Sequence, residues 1–151
     1  MSIDPRLIHD IQWAEAPGGV AVLKGYADGG GVPTAGYGHT GVDVFIGRVY
    51  TQQQCDDWLA ADLERFSLRA QTTPEWPFLD TPCRCNAVIE AIYNLGDGHW
   101  ISEFPGTRAA IRQQNWQSAH DNLLASPLWI KEVGPERVTR LANYLLWGAY
   151  P

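Results

Sequence analysis

Between Val20 and Tyr50 the chain changes texture. This stretch is rich in glycine and β-branched residues and has no helical period, whereas the segments before and after it carry apolar residues at helical spacing. Such a composition suits short strands joined by tight turns, because β-branched side chains fit a pleated surface and glycine supplies the backbone angles that turns require. We therefore expect a small antiparallel sheet here, with turns at Gly29-Gly30-Gly31 and around Gly41 and with Val42–Ile46 as a strand.

The flanking segments have clear starts and stops. Asp4-Pro5 offers a capping side chain and a proline at the first helical position; Leu7, Ile8 and Ile11 follow at helical spacing, and Pro17-Gly18-Gly19 stops the helix near Ala16. Thr51-Gln52-Gln53-Gln54 fits a capping box and opens a helix carrying Trp58, Leu59, Leu63 and Phe66, which Pro74 and Pro77 end. Thr81-Pro82 begins a helix with Ala87, Val88, Ala91, Ile92 and Leu95 apolar, closed by Gly96. Shorter helices are expected over 105–113, 116–125 and 135–147, the last running from Pro135 to Gly148. One small sheet followed by apolar-faced helices gives an α+β class. A length of 151 residues suits a single domain.

Composition removes several function classes. Lys plus Arg number 11 and Asp plus Glu 17, a formal charge of −6, which argues against a nucleic-acid partner. No window approaches a membrane span, and the start Met1-Ser2-Ile3-Asp4-Pro5-Arg6 has no basic region followed by an apolar stretch, so the expectation is a soluble protein made in the cytoplasm without membrane insertion. Cys55, Cys83 and Cys85 form no disulfide framework, and with His9, His39, His99 and His120 they form no metal-ligand spacing; the expected metal and cofactor content is none. Gly36-Tyr37-Gly38-His39-Thr40-Gly41 matches the dinucleotide pattern formally, but no helix opens behind it, so these glycines suit a hairpin whose backbone passes close to something else.

Carboxylates remain as candidates for chemistry. Glu15 ends the first helix and Asp28 lies beside the glycine turn of the sheet, with Thr34 six residues later. Two acids on either side of a helix–sheet junction can flank a scissile glycosidic bond.

The residues around them carry a resemblance. Glu15, Tyr26-Ala27-Asp28 and Thr34-Ala35-Gly36-Tyr37-Gly38-His39-Thr40-Gly41 resemble the motif of phage-type lysozymes, glycoside hydrolase family 24: a helix-ending Glu, a Tyr-x-Asp on the first strand, and a Thr-x-Gly-x-Gly-His hairpin. Arg84-Cys85-Asn86-Ala87 through Tyr93-Asn94-Leu95-Gly96 resembles that family's buried central helix. Phe104, Asn115-Trp116 and Ser126-Pro127-Leu128-Trp129 follow in family order, and Pro135-x-Arg137-x-x-Arg140 closed by Gly148 resembles the T-even phage subgroup. Glu15 and Asp28 stand 13 positions apart, a few more than is usual in the family.

The resemblance implies a single lysozyme-like domain over 1–151, with a β-rich lobe at roughly 16–50, a helical lobe from 1–15 and 51–151, a joining helix and a cleft between the lobes. It implies an endolysin that hydrolyses the β-1,4 bond between N-acetylmuramic acid and N-acetylglucosamine in peptidoglycan glycan strands. Glu15 would be the general acid. Asp28 would activate water or stabilise the oxocarbenium-like transition state, with inversion, and Thr34 would position the water. Arg137 would orient Glu15, His39 would pair with Asp62 in a structural role, and Tyr26, Gly38 and Asn94 would contact substrate. The implied protein is a monomer that collects in the host cytoplasm and reaches the wall once a separate holin opens the inner membrane. Two other readings stay open: a lytic transglycosylase, which cuts the same bond without water and needs no Asp, and a non-catalytic wall-binding or phage structural module.

Overall fold

The computed structural model describes residues 3–127 and 133–151. Met1 and Ser2, and Leu128 and Trp129 of the downstream motif, lie outside the described residues. The chain divides into two compact units, 1–65 and 66–151.

In the first unit, α1 (Pro5–Glu15) starts and stops at the expected signals. The Asp4 carboxylate accepts from the Arg6 N–H at 2.8 Å, and Ala16 is extended, followed by a single 3₁₀ turn at Pro17–Gly19. Leu7 and Ile11 give α1 its buried stripe. The sheet is antiparallel in the order β1 (Val22–Ala27), β2 (Pro33–Gly36), β3 (His39–Thr40), with Tyr26 opposite Thr34, Ala27 opposite Pro33 and Ala35 opposite His39.

The strand expected at Val42–Ile46 is absent: turns and irregular backbone occupy it, and Val42, Phe45 and Ile46 are exposed. The free edge of β1 is met instead by the residues that follow. The Gly25 N–H donates to the Arg48 carbonyl at 2.8 Å, the Gly47 N–H to the Gly25 carbonyl at 2.8 Å, and the Tyr50 N–H to the Leu23 carbonyl at 2.8 Å. A side chain explains the exchange. The Tyr50 hydroxyl accepts from the Phe45 N–H at 2.8 Å and donates to the Asp43 carbonyl at 3.1 Å, satisfying backbone groups that a ladder would otherwise pair. Gly25 makes the approach possible, since a β-carbon there would lie 2.2 Å from the Phe45 carbonyl oxygen.

Helix α2 (Gln52–Gln71) opens with the expected capping box: the Gln54 N–H donates to Thr51 Oγ1 at 3.1 Å and the Thr51 N–H to Gln54 Oε1 at 2.9 Å. The boundary between the two units falls inside this helix. In the second unit a 3₁₀ turn (Trp76–Phe78) precedes α3 (Pro82–Leu95), α4 (Asp97–Glu103), α5 (Pro105–Arg112), α6 (Trp116–Leu124) and α7 (Pro135–Trp147). Val88, Ile92, Ile111, Leu123, Leu141 and Leu145 form much of its core.

Helix α4 was not foreseen from the sequence. Its driving force is non-local: Trp100 is buried and its Nε1 donates at 2.6 Å to the fully buried Glu75, which also accepts from Arg108 Nε at 2.8 Å. Another buried carboxylate, Glu90 on α3, accepts from Arg137 Nε at 2.8 Å and from both terminal nitrogens of Arg140 at 2.6 and 3.0 Å. Arg84 donates to the carbonyls of Leu145 and Leu146 at the end of α7, groups with no partner inside their own helix. The three cysteines are free thiols, Cys83 and Cys85 both on α3.

The capping box has a measurable share in stability. Thr51→Ala should cost about 1 kcal/mol, read as a lower urea midpoint at unchanged slope, and Thr51→Ser should restore most of it. Equal loss in both variants would show that the threonine methyl, and not its hydroxyl, is what counts.

Candidate active site

Seven of the nine residues expected at the site lie in the first unit: Glu15, Tyr26, Asp28, Thr34, Gly38, His39 and Asp62. Arg137 and Asn94 lie in the second. There Arg137 is engaged by Glu90, and Asn94 sits half-buried next to the last residue of α3.

Glu15 is the last residue of α1 and is half-buried. Its carboxylate rests against the hairpin backbone at Gly38, where a β-carbon would come within 2.8 Å of Oε2. Gly38 also has φ +78°, a conformation costly for any residue with a β-carbon. The expectation of a glycine where backbone passes close to another group thus describes this contact, and it gives Gly38 a job independent of substrate.

Asp28 follows β1 at the head of a tight loop. Its Oδ1 accepts from the N–H of Gly30 at 2.8 Å and of Val32 at 2.9 Å; its own N–H donates to the Val32 carbonyl at 3.0 Å, and the Gly31 N–H donates to the Asp28 carbonyl at 2.9 Å. The carboxylate is thus held by backbone donors yet remains exposed to solvent. Thr34 is buried on β2, and its hydroxyl donates to the Val32 carbonyl at 2.9 Å.

Tyr26 ties the two acids together. It stands opposite Thr34 in the sheet, 37% exposed. Partial burial pushes its phenol above the ordinary tyrosine value, and the charges of Glu15 and Asp28 both push the same way.

His39 bonds at both ring nitrogens: Nδ1 lies 2.7 Å from Asp62 Oδ2 and Nε2 lies 3.0 Å from Asp43 Oδ1. Its ring stacks on Trp58 at 4.5 Å and 13°. Burial alone lowers an imidazole pKa, but here the hydrogen bonds and charges of Asp62 and Asp43 outweigh it, and His39 is raised above its ordinary value. Asp43 is lowered; the bond to His39 prevails over a desolvation that acts the other way. Asp43 and the stacked Trp58 were not expected as partners of His39. Asp43 stands four residues from His39 in irregular backbone, where that spacing implies no contact as it would in a helix.

Among the described residues, no three His, Cys, Asp or Glu side chains gather as a metal site requires. What the first unit does offer is two acids of different surroundings, one packed against a hairpin and one presented on a loop, with a buried hydroxyl at the same loop.

The family model for phage lysozyme matches residues 18–143. The chain belongs to the phage lysozyme family. The match spans Asp28, Thr34, His39, Asp62 and Arg137 and begins three residues after Glu15. Among curated proteins, the SAR-endolysin of Bacteriophage PS119 is 36% identical over 90 residues, 56% of this chain and 52% of that protein. The SAR-endolysin of Bacteriophage PS34 is 34% identical over the same shares. The chain thus spans about half the length of the curated relatives it matches. Two solved structures share the lysozyme-like α+β fold. An endolysin from Escherichia coli O157:H7 phage FAHEc1 has a TM-score of 0.73 at 22% identity, covering 100% of this chain and 97% of that one. A mutant of P22 lysozyme has 0.68 at 24% identity, covering 97% and 99%.

The His39 cluster sets a pH signature for this family member. A raised folded-state pKa means that the stabilisation is fully present below the unfolded imidazole value of about 6.5 and is lost as pH rises through the folded value. Asp43 is lowered, so its share is lost in acid, as pH falls through its own folded value. His39→Asn should therefore cost most stability near pH 5–6 and clearly less near pH 10, as measured by urea unfolding at each pH. Equal loss at both would mean that His39 contributes only through packing on Trp58.

Proposed function

We propose that this chain is an endolysin that hydrolyses the β-1,4 bond between N-acetylmuramic acid and N-acetylglucosamine in peptidoglycan. The carrying observation is the placing of two carboxylates by the sheet, Glu15 packed against the hairpin at Gly38 and Asp28 held on its loop by backbone donors, with the Thr34 hydroxyl buried at the same loop. Membership of the phage lysozyme family and the endolysin names of the relatives support the same reading.

Glu15 donates its proton to the leaving glycosidic oxygen. Asp28 takes a proton from the water that attacks the anomeric carbon, and Thr34 positions that water, so the configuration inverts. The exposure of Asp28 leaves water access to its carboxylate. Tyr26 borders the sugar that is cut. Arg137 is braced by Glu90 within the second unit. His39 and Asp62 hold the hairpin and stay out of the reaction. The enzyme works as a monomer without a cofactor. No helix among the described residues is long and apolar enough to cross a membrane. In this reading a separate holin provides the route to the wall.

On purified peptidoglycan, Glu15→Gln should reduce the release of reducing ends by about 10²–10⁴-fold with folding unchanged, and Asp28→Asn should also cripple turnover. A folded Glu15→Gln protein with near-wild-type activity would sink the assignment. Anhydro ends in place of reducing ends, with Asp28→Asn fully active, would make the enzyme a transglycosylase.

The route to the wall is tested separately. Expression inside a bacterium should leave cells intact until the inner membrane is permeabilised. Lysis on expression alone, abolished by blocking the secretion machinery, would replace the holin with an export signal.

A further inference from the structure

The backbone of one residue joins the two residues assigned to water. The Val32 N–H donates to Asp28 Oδ1 at 2.9 Å, and the Val32 carbonyl accepts from the Asp28 N–H at 3.0 Å and from the Thr34 hydroxyl at 2.9 Å. Gly30 adds a second donor to the same Asp28 oxygen at 2.8 Å.

These bonds dictate what remains. A threonine hydroxyl has one proton and two lone pairs. With the proton committed to Val32, Thr34 faces any further partner only as an acceptor. An ionised carboxylate has only acceptor oxygens, and two backbone donors already occupy Oδ1 of Asp28, so Oδ2 is the oxygen left to receive a proton. Pro33 sharpens the arrangement, because the residue before a proline is held in extended backbone, which limits where the Val32 carbonyl can point.

We infer that Val32 is a positioning residue for hydrolysis, its backbone setting both Thr34 and Asp28 Oδ2 as acceptors for the two protons of a single water molecule. This rests on the hydrolytic reading above. Water held by both its protons turns a lone pair away from its two partners, toward the sugar. In the step, the water oxygen forms a bond to the anomeric carbon and one proton passes to Asp28 Oδ2. The other proton stays on the new hydroxyl, hydrogen-bonded to Thr34 Oγ1. The glycosidic C–O bond breaks, and its electron pair remains on the leaving oxygen, which takes the proton of Glu15. A Thr34 hydroxyl that donated to the water would instead tie up a lone pair needed for attack. The side chain of Val32 has no part in this; its backbone N–H and carbonyl act on Asp28 and Thr34.

The test replaces Val32 by α-hydroxyisovaleric acid in the full chain, exchanging the N–H for an oxygen without changing the side chain. The substrate is purified peptidoglycan. Loss of a hydrogen bond to a charged group predicts a fall in kcat of about ten- to hundredfold, with KM within about twofold and an unchanged far-ultraviolet circular dichroism spectrum. The same exchange at Val42, which is 98% exposed, should leave kcat as it is. Wild-type kcat in the Val32 ester would overturn the inference. Should the ester fail to fold, Pro33→Gly, which releases the restraint on Val32 and removes no donor, decides the matter: a several-fold fall in kcat at constant KM supports the role, and wild-type kcat refutes it. Asp28→Asn separates the two levels. If that variant is fully active, the hydrolytic reading itself fails; if it is inactive while the ester and Pro33→Gly match wild type, only the role of Val32 fails.

Discussion

The first unit depends on a contact that leaves no room for a side chain. The Glu15 carboxylate occupies space that a β-carbon on residue 38 would enter, and the hairpin passes there with a backbone angle that glycine adopts most easily. Several local features serve this approach. Helix α1 has to stop at Glu15, which Pro17 and the two glycines after it bring about. The strands have to return residue 38 to the helix end, which the Tyr26–Thr34 and Ala35–His39 pairings achieve. The His39 cluster then ties β3 to α2 through Asp62 and Trp58, and the turn after β3 to His39 through Asp43.

The acidic pair is held by different means. Glu15 is placed by the end of a helix and by packing, whereas Asp28 is placed by hydrogen bonds from its own loop. A carboxylate fixed through one oxygen by backbone amides keeps its orientation without any other side chain. This suits a loop exposed to water, where longer-range pairs would be screened.

Much of this was legible in the sequence wherever the cause was local. Asp4, Thr51, Thr81 and Gly148 mark helix ends because their capping acts within three or four residues, and each caps as expected. The strand expected at Val42–Ile46 failed because a run of β-branched and apolar residues says nothing about a tyrosine hydroxyl several residues on that competes for the same backbone groups. Helix α4 was hidden by the glycines at 96 and 98 and exists through burial of Trp100 against Glu75, a partner 25 positions away. At the site, Asp28 and Thr34 stood out by their setting. The link from His39 to Asp62, 23 positions apart, came only with the family resemblance, and Asp43 came from neither.

Glu90 has a consequence of another kind. Around it, α3 offers Val88, Ala91 and Ile92, a greasy surface over which a second helix could slide with little change in energy. A carboxylate gripped by two guanidiniums permits no such sliding, since a shift of one turn, about 5.4 Å, would strand a charge in an apolar interior. The trio acts as an index mark between α3 and α7, fixing the address at which the helices meet while leaving the volumes around it negotiable. Volume-conserving swaps of core side chains can thus be tolerated around it, but a residue inserted or deleted between Arg137 and Arg140 would turn one guanidinium about 100° away from Glu90 and leave the trio incomplete.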